Sequence, residues 1–188
     1  MHAKLVQVML AAGMVATVGM SAQAADLYVG GNVGASDWKV GNVPAGTSVD
    51  KRDTGFKLFL GTSLSPNFGV EGGYADLGKA NLSGGGVSAS IKGTGFYADV
   101  IGTLPLGASW AAFGRLGAFH GKAKVNVRSG TLSGATNDSG TDVHYGLGVQ
   151  YGLSKAVALR GEWERFRFNV FNDKGDVDLV SVGLTYSF

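Results

Sequence analysis

Residues 141–153 read TDVHYGLGVQYGL, and the two parities of that stretch carry different chemistry. Val143, Tyr145, Leu147, Val149, Tyr151 and Leu153 are apolar; Asp142, His144, Gly146, Gly148, Gln150 and Gly152 are polar or lack a side chain. A period of two puts alternate residues on opposite faces of a β-strand, so one face here is greasy and the other is not. The alternation recurs on either side. Val157, Leu159 and Trp163 oppose Arg160, Glu162 and Glu164, while Phe56, Leu58 and Leu60 oppose Lys57, Gly61 and Ser63. The last segment, DLVSVGLTYSF (178–188), sets Val180, Val182, Leu184, Tyr186 and Phe188 against Ser181, Gly183, Thr185 and Ser187.

Eight such runs are predicted as strands: Leu27–Ser36, Gly55–Leu64, Phe68–Lys79, Gly93–Leu104, Trp110–Lys122, Thr141–Leu153, Val157–Asn169 and Asp176–Phe188. Each is long enough to cross a hydrocarbon core as a tilted strand, which takes about 9–11 residues. Their connectors alternate in length. SPN (65–67), PLGAS (105–109) and SKA (154–156) are short. The segments 37–54, 80–92 and 123–140 are long and polar, and VFNDKG (170–175) is intermediate. One tight rim and one elaborated rim are what an up-and-down barrel has. Pro44, Pro66 and Pro105 all fall in connectors, as expected when the runs between are hydrogen-bonded on both edges.

No helix-period segment exists after the N-terminus to cover the apolar faces. A second sheet could cover them in a soluble sandwich. The opposite faces, rich in glycine with a few charges, make poor solvent cover but suit a narrow interior. In hydrocarbon every backbone N–H needs a partner, which a closed barrel supplies. Trp110, Tyr151 and Phe188 near the short-turn ends, with Tyr145 and Trp163 toward the other rim, sit where a bilayer's interfaces favour aromatics. The expected fold is all-β: an eight-stranded antiparallel transmembrane barrel.

Composition agrees. Charged residues are 16% of the chain and glycine is 32 of 188 residues, without a collagen-like triplet. There is no cysteine, which excludes disulfides and thiolate metal sites. A net charge of +2 gives no reason to expect nucleic acid, and no motif asks for a cofactor. The N-terminus places Lys4 before an apolar run, Leu5–Met20, and then Ala22-Gln23-Ala24. That run is shorter than the ~20 residues of a comfortable membrane helix and lacks a charged stop. It reads as a secretory signal peptide over 1–24, leaving a single barrel domain over 25–188.

Several stretches resemble the membrane domain of the OmpA family of bacterial outer-membrane proteins. They are NFGVEGGYADLGKA (67–80), AAFGRLGAF (111–119), GLGVQYGLS (146–154) and VALRGEWERF (157–166); LYVGGNVGAS (27–36) is similar to the family's first strand. The resemblance spans essentially the whole mature chain. It implies a Gram-negative outer membrane, long loops facing outward, and lipid and lipopolysaccharide as neighbours. It further implies recognition of Tyr186 and Phe188 by the barrel assembly machinery. The chain stops at Phe188, so a barrel-only relative without the peptidoglycan-binding domain is expected. Glu71 and Arg160 match the family's interior ion-pair gate. Gln150 stands in place of a glutamate, and Asp99 occupies the region where the family has a lysine.

The inward parity collects Lys57, Glu71, Asp99, Arg115, His144, Arg160, Glu162 and Glu164. These read either as a polar pathway for ions or as a salt-bridge network that fixes register. The small bore of an eight-stranded barrel favours the network. Ser139, Asp142 and His144 are the residues a lipid A-modifying enzyme would need, but their spacing carries no specific motif. Lys122, Lys124 and Arg128 keep the parity of the lipid-facing Leu116 and Ala118, as Arg165 and Arg167 continue from Trp163. Such a belt fits lipopolysaccharide phosphates or, equally, a solvated rim. Phe166 and Phe168 take inward parity, which suggests a bulge near Arg165. The expected role is structural, in a monomer supporting envelope integrity and meeting surface or host ligands through its loops. A small channel is the alternative.

Overall fold

The computed structural model describes residues 26–39, 48–84, 87–129, 132–170 and 173–188. The expected signal peptide over 1–24 and Pro44 lie outside the described residues. Nine strands follow in order: β1 (Asp26–Lys39), β2 (Ser48–Asp50), β3 (Arg52–Ser63), β4 (Phe68–Gly84), β5 (Val87–Pro105), β6 (Trp110–Ser129), β7 (Leu132–Gly152), β8 (Val157–Val170) and β9 (Asp173–Ser187). All but β2 form the wall. Each wall strand pairs antiparallel with its neighbour, and β1 pairs with β9 from Tyr28↔Ser187 to Lys39↔Asp176. The eight-stranded barrel is therefore closed. The three-residue β2 is a flap on the outer end of β4.

Alternation dictates this arrangement. The apolar parity faces away from the axis: Leu58, Phe96, Leu116, Leu147 and Val180 are each about three-fifths exposed. On β6 that band runs from Trp110 to His120. Ten steps of about 3.3 Å, tilted by about 40°, give a height of ~25 Å, the thickness of an outer-membrane barrel's apolar belt. Aromatic pairs bracket it. Trp110 and Tyr151 (centroids 4.8 Å apart) and Tyr186 and Phe188 (5.2 Å) mark the short-turn rim. Phe56, Tyr74 and Phe96 form a chain with Tyr145–Trp163 at the same level on the far side. Phe188 donates its N–H to the Leu27 carbonyl at 3.0 Å, so both ends of the barrel domain meet at the short-turn rim.

Three expectations are corrected. The connectors 80–92 and 123–140 are largely strand: β4 with β5, and β6 with β7, stay paired out to Gly84↔Val87 and Ser129↔Leu132. Their serines, threonines and glycines suit a sheet wet on both faces, a composition that resembles a loop. Pro105 is the last residue of β5, at a strand end where its missing N–H costs no ladder bond. No register shift occurs near Arg165. The bulge lies on β4 between Asp76 and Lys79, where Gly78 has φ +69° and donates its N–H to Asp76 Oδ1. A Cβ at that glycine would also meet Asp53 at 2.8 Å.

Phe166 and Phe168 do point inward, and they change the picture of the interior. On the long-loop side of the charged residues lies an apolar plug. Phe119, Phe166, Phe168, Trp38, Leu77, Val177 and Leu179 are buried there. Phe119 meets Phe166 and Phe168 edge-on (4.9 and 5.3 Å), and Trp38 stacks on Phe168 at 5.9 Å. Ionic and small side chains thus fill the lumen's middle, not its outer end. Leu147→Arg, at mid-height on the lipid face, is expected to lower the unfolding free energy in lipid bilayers by about 2–4 kcal/mol. Denaturant titration in vesicles measures it.

Candidate functional site: a caged lumen and a charged rim

Six strands contribute to the cage. Lys57 comes from β3, Glu71 from β4, Asp99 from β5, Arg115 from β6, His144 from β7, and Arg160, Glu162 and Glu164 from β8. The period-two rule sends all eight to the axis, where all are buried. Glu71 is the hub. Its Oε1 accepts from Arg115 Nη2 (2.7 Å) and the Tyr97 hydroxyl (3.0 Å), and its Oε2 from Arg160 Nη1 (2.8 Å) and the Tyr28 hydroxyl (3.2 Å). Lys57 Nζ lies 2.5 Å from Glu162 Oε2 and 2.6 Å from Glu164 Oε2. Arg115 Nη1 donates to Glu164 Oε1 at 2.7 Å, while Arg160 Nε faces Glu162 Oε1 at 2.7 Å as an ion pair without hydrogen-bond geometry. Arg160 also lies 4.3 Å from the Phe113 ring centroid.

His144 closes the network. Nδ1 is 3.0 Å from Asp99 Oδ1 and Nε2 is 3.2 Å from Glu164 Oε1. Register explains the first contact: Gly117 sits between Asp99 and His144 on the intervening strand. A Cβ at Gly117 would fall 2.3 Å from Asp99 Oδ1, so only a bare backbone lets the two side chains meet across it. The other face of His144 stacks on Phe166 (4.2 Å, 16°), joining cage to plug. Lys57, Arg115 and Arg160 stand against four carboxylates, Glu71, Asp99, Glu162 and Glu164, and His144 lies between two of them.

The arrangement pairs opposite charges, and it does not bring Ser139, Asp142 and His144 together. Ser139 and His144 are five residues apart along β7, and both ring nitrogens of His144 face cage carboxylates. Asp142 instead accepts the Val143 N–H at 3.1 Å. Among the described residues no cluster of three or more His, Cys, Asp or Glu is placed to hold a metal. Tyr28 and Tyr97 are the site residues that sequence reasoning misses. Their inward parity is legible, but not that their hydroxyls reach Glu71.

The rim cations fall into two groups. Arg165 makes a fork with Asp178 (2.6 and 2.7 Å), and Arg167 lies 3.7 Å from Asp176. Both acids stand directly opposite on β9. Lys39 pairs with Asp37 at 2.9 Å, and Lys92 with Asp76 at 2.7 Å. Lys122 and Lys124 are exposed on β6 and have no ion pair among the described residues. Lys124 stands opposite Lys92, a like-charge neighbour. Arg128 lies on the same strand, with its side chain outside the described residues. Tyr186 and Phe188 project outward at the short-turn rim.

A closed eight-stranded barrel with an ionic lumen and an aromatic-girdled apolar belt defines a class, the small outer-membrane barrels. The chain belongs to the outer membrane protein β-barrel domain family, whose model matches residues 8–188, and it resides in the outer membrane. It is 24% identical over 172 residues to outer membrane protein A of Klebsiella aerogenes; the match covers 86% of this chain and 48% of that protein. The chain therefore spans about half the length of that curated relative. Among solved structures it is similar to the attachment invasion locus protein Ail of Yersinia pestis (22% identity, TM-score 0.63, 87% of this chain and 99% of that one). It is also similar to a major outer membrane protein of Thermus thermophilus (16%, TM-score 0.60, 88% and 100%).

Removing one partner of a buried ion pair leaves the others uncompensated, at a cost of about 3–5 kcal/mol. Glu71→Ala takes a carboxylate from Arg115 and Arg160 together, though Glu164 and Glu162 still face them. It is expected to destabilise the barrel by about that range in urea titrations in lipid, with Glu71→Gln intermediate because the amide oxygen still accepts a hydrogen bond.

Proposed function

We propose that this protein is a closed, non-conducting barrel whose role is structural, supporting envelope integrity and holding surface segments outside the membrane. The observation that carries this is the double closure of the lumen. A hydrated ion entering from outside meets the aromatic plug, where Phe119, Phe166 and Leu179 have no exposed surface. Beyond it lies the cage, whose salt bridges span the bore from β3, β4 and β6 to β8. Passage requires opening both. Purified protein in planar bilayers is expected to give no unitary conductance under voltages at which porins conduct; steady, ion-selective openings would instead favour the channel reading.

The rim supports a lipid contact. Lys122 and Lys124 stand one and two turns of the pleat above His120, at the level of headgroup phosphates, and charge-assisted hydrogen bonds to phosphate are strong. Arg165 and Arg167 already have carboxylate partners and contribute less. Lys122→Ala with Lys124→Ala is expected to lower the melting midpoint by about 2–4 °C in vesicles containing lipopolysaccharide, and to leave it unchanged in phosphatidylcholine. Arg165→Ala with Arg167→Ala should act equally in both. An equal effect of the lysine pair in both lipids removes the reading. Tyr186 and Phe188, outward on the closing strand, are the residues offered to the assembly machinery.

A further inference from the structure

A row of lysines crosses the outer face of the wall above the apolar belt. β4 and β5 set Lys79 opposite Lys92, and β5 and β6 set Lys92 opposite Lys124. Lys92 and Lys124 keep the parity of the lipid-facing Phe96 and His120, so the row points away from the axis. It is two strand spacings wide, about 10 Å. Lys122 lies on the same face, two residues nearer the belt. At the barrel's tilt, Lys122 and Lys124 stand about 5 and 10 Å above His120.

The bulge on β4 is what brings the third lysine into line. Asp76 pairs with Thr94, so an unbroken register would set Lys79 opposite Ile91, which packs inward against the plug. The extra residue at Gly78 turns Lys79 to the outside instead, the re-aiming that bulges perform. Asp53 holds it there, accepting the Lys79 N–H on Oδ2 at 2.7 Å.

Three like charges in direct succession are unfavourable, and the protein offsets them little. Asp76 Oδ2 pairs with Lys92 at 2.7 Å, while its Oδ1 accepts the Gly78 N–H. Asp53 engages main chain with both oxygens, the second accepting the Thr54 N–H at 2.8 Å. Lys79, Lys122 and Lys124 are exposed and have no ion pair among the described residues. The row therefore calls for an anion from outside the chain.

Its position and width select that anion. Facing outward just above the belt, it looks into the headgroup layer of the outer leaflet, where a lipid is the immediate neighbour. A phosphate monoester carries about −1.5 to −2 at neutral pH and has three acceptor oxygens. A lone lipid phosphodiester carries less and reaches only part of the row. A disaccharide with a phosphate at each end brings charge to both of its ends, and Ser90 and Thr94, which flank Lys92 on the same face, offer hydroxyls to the sugar.

We propose that Lys79, Lys92 and Lys124, with Lys122 beneath them, bind the bisphosphorylated disaccharide headgroup of one outer-leaflet glycolipid and neutralise its two phosphates in place of divalent cations. This rests on the lipid contact proposed above and narrows it to one headgroup on one face of the barrel. On β8 and β9 the corresponding cations, Arg165 and Arg167, already meet Asp178 and Asp176.

The test is native mass spectrometry of the folded barrel in detergent with EDTA, titrated with diphosphoryl lipid A, monophosphoryl lipid A or phosphatidylglycerol. The diphosphoryl form should bind about tenfold or more tighter than the monophosphoryl form. Lys79→Gln with Lys124→Gln should erase that margin, and Lys155→Gln at the short-turn rim should leave it. Heat-modifiability reports that each variant is folded. Equal affinity for the two lipid A forms, an unchanged margin in the double variant, or a margin that needs added magnesium overturns the proposal. If the double variant weakens all three anionic lipids alike, the general lipid contact stands and this site falls. If neither lipid A form outbinds phosphatidylglycerol, both fall.

Discussion

Burying eight ionisable side chains along one axis is the constraint on which the rest of this structure depends. An isolated ion in a dry interior is far too costly, so each must find an opposite charge at contact distance. Glu71 shows how tight that requirement is: four donors from four other strands converge on its two oxygens. Satisfying them fixes which residue stands opposite which around the whole wall. A slip of one residue on any of the six strands that carry them would turn charges toward lipid and apolar side chains toward the cage. The network that spans the lumen finds its partners in this one register.

The lumen is layered. From the short-turn rim outward it is ionic, with Phe59 and Phe113 packed against Arg160, and then apolar, and His144 belongs to both layers through its carboxylate contacts and its stack on Phe166. This layering follows from packing. Inward rings lie over cross-strand glycines: Gly95 lies beneath Phe119, and Gly93 beneath Trp38 and Phe168. The high glycine content is therefore the complement of a few large inward residues, which a bore of this size could not otherwise hold.

Much of this is legible in the sequence, and the limits have a physical cause. Parity is local, so the faces of β3, β7, β8 and β9 can be read directly, and the eight cage residues fall on the inward side. Register is not local. That Arg165 stands opposite Asp178 depends on β8–β9 pairing, so the sequence suggests a basic belt where two of the five cations are already matched. Strand length above the membrane is also hidden. Where water bathes both faces, Ser, Thr and Gly replace the hydrophobic marker of alternation, and 123–140 reads as a loop. Parity places Phe166 and Phe168 inward, as they are. A bulge is needed only if aromatic rings have no place in a polar lumen, and the plug gives them one.

The unequal strand lengths give the molecule a front and a back. β8 ends four residues beyond Phe166, whereas β7 climbs twelve beyond His144, a difference of about 20 Å at the barrel's tilt. Seen from outside the cell, the rim is cut on a slant, like the lip of a scoop. Its low side ends near the apolar belt and its high side stands well above it. Crowded in a two-dimensional lipid sheet, such a molecule is not rotationally interchangeable with itself. Its neighbours, and anything that approaches from outside, meet it at a particular compass bearing.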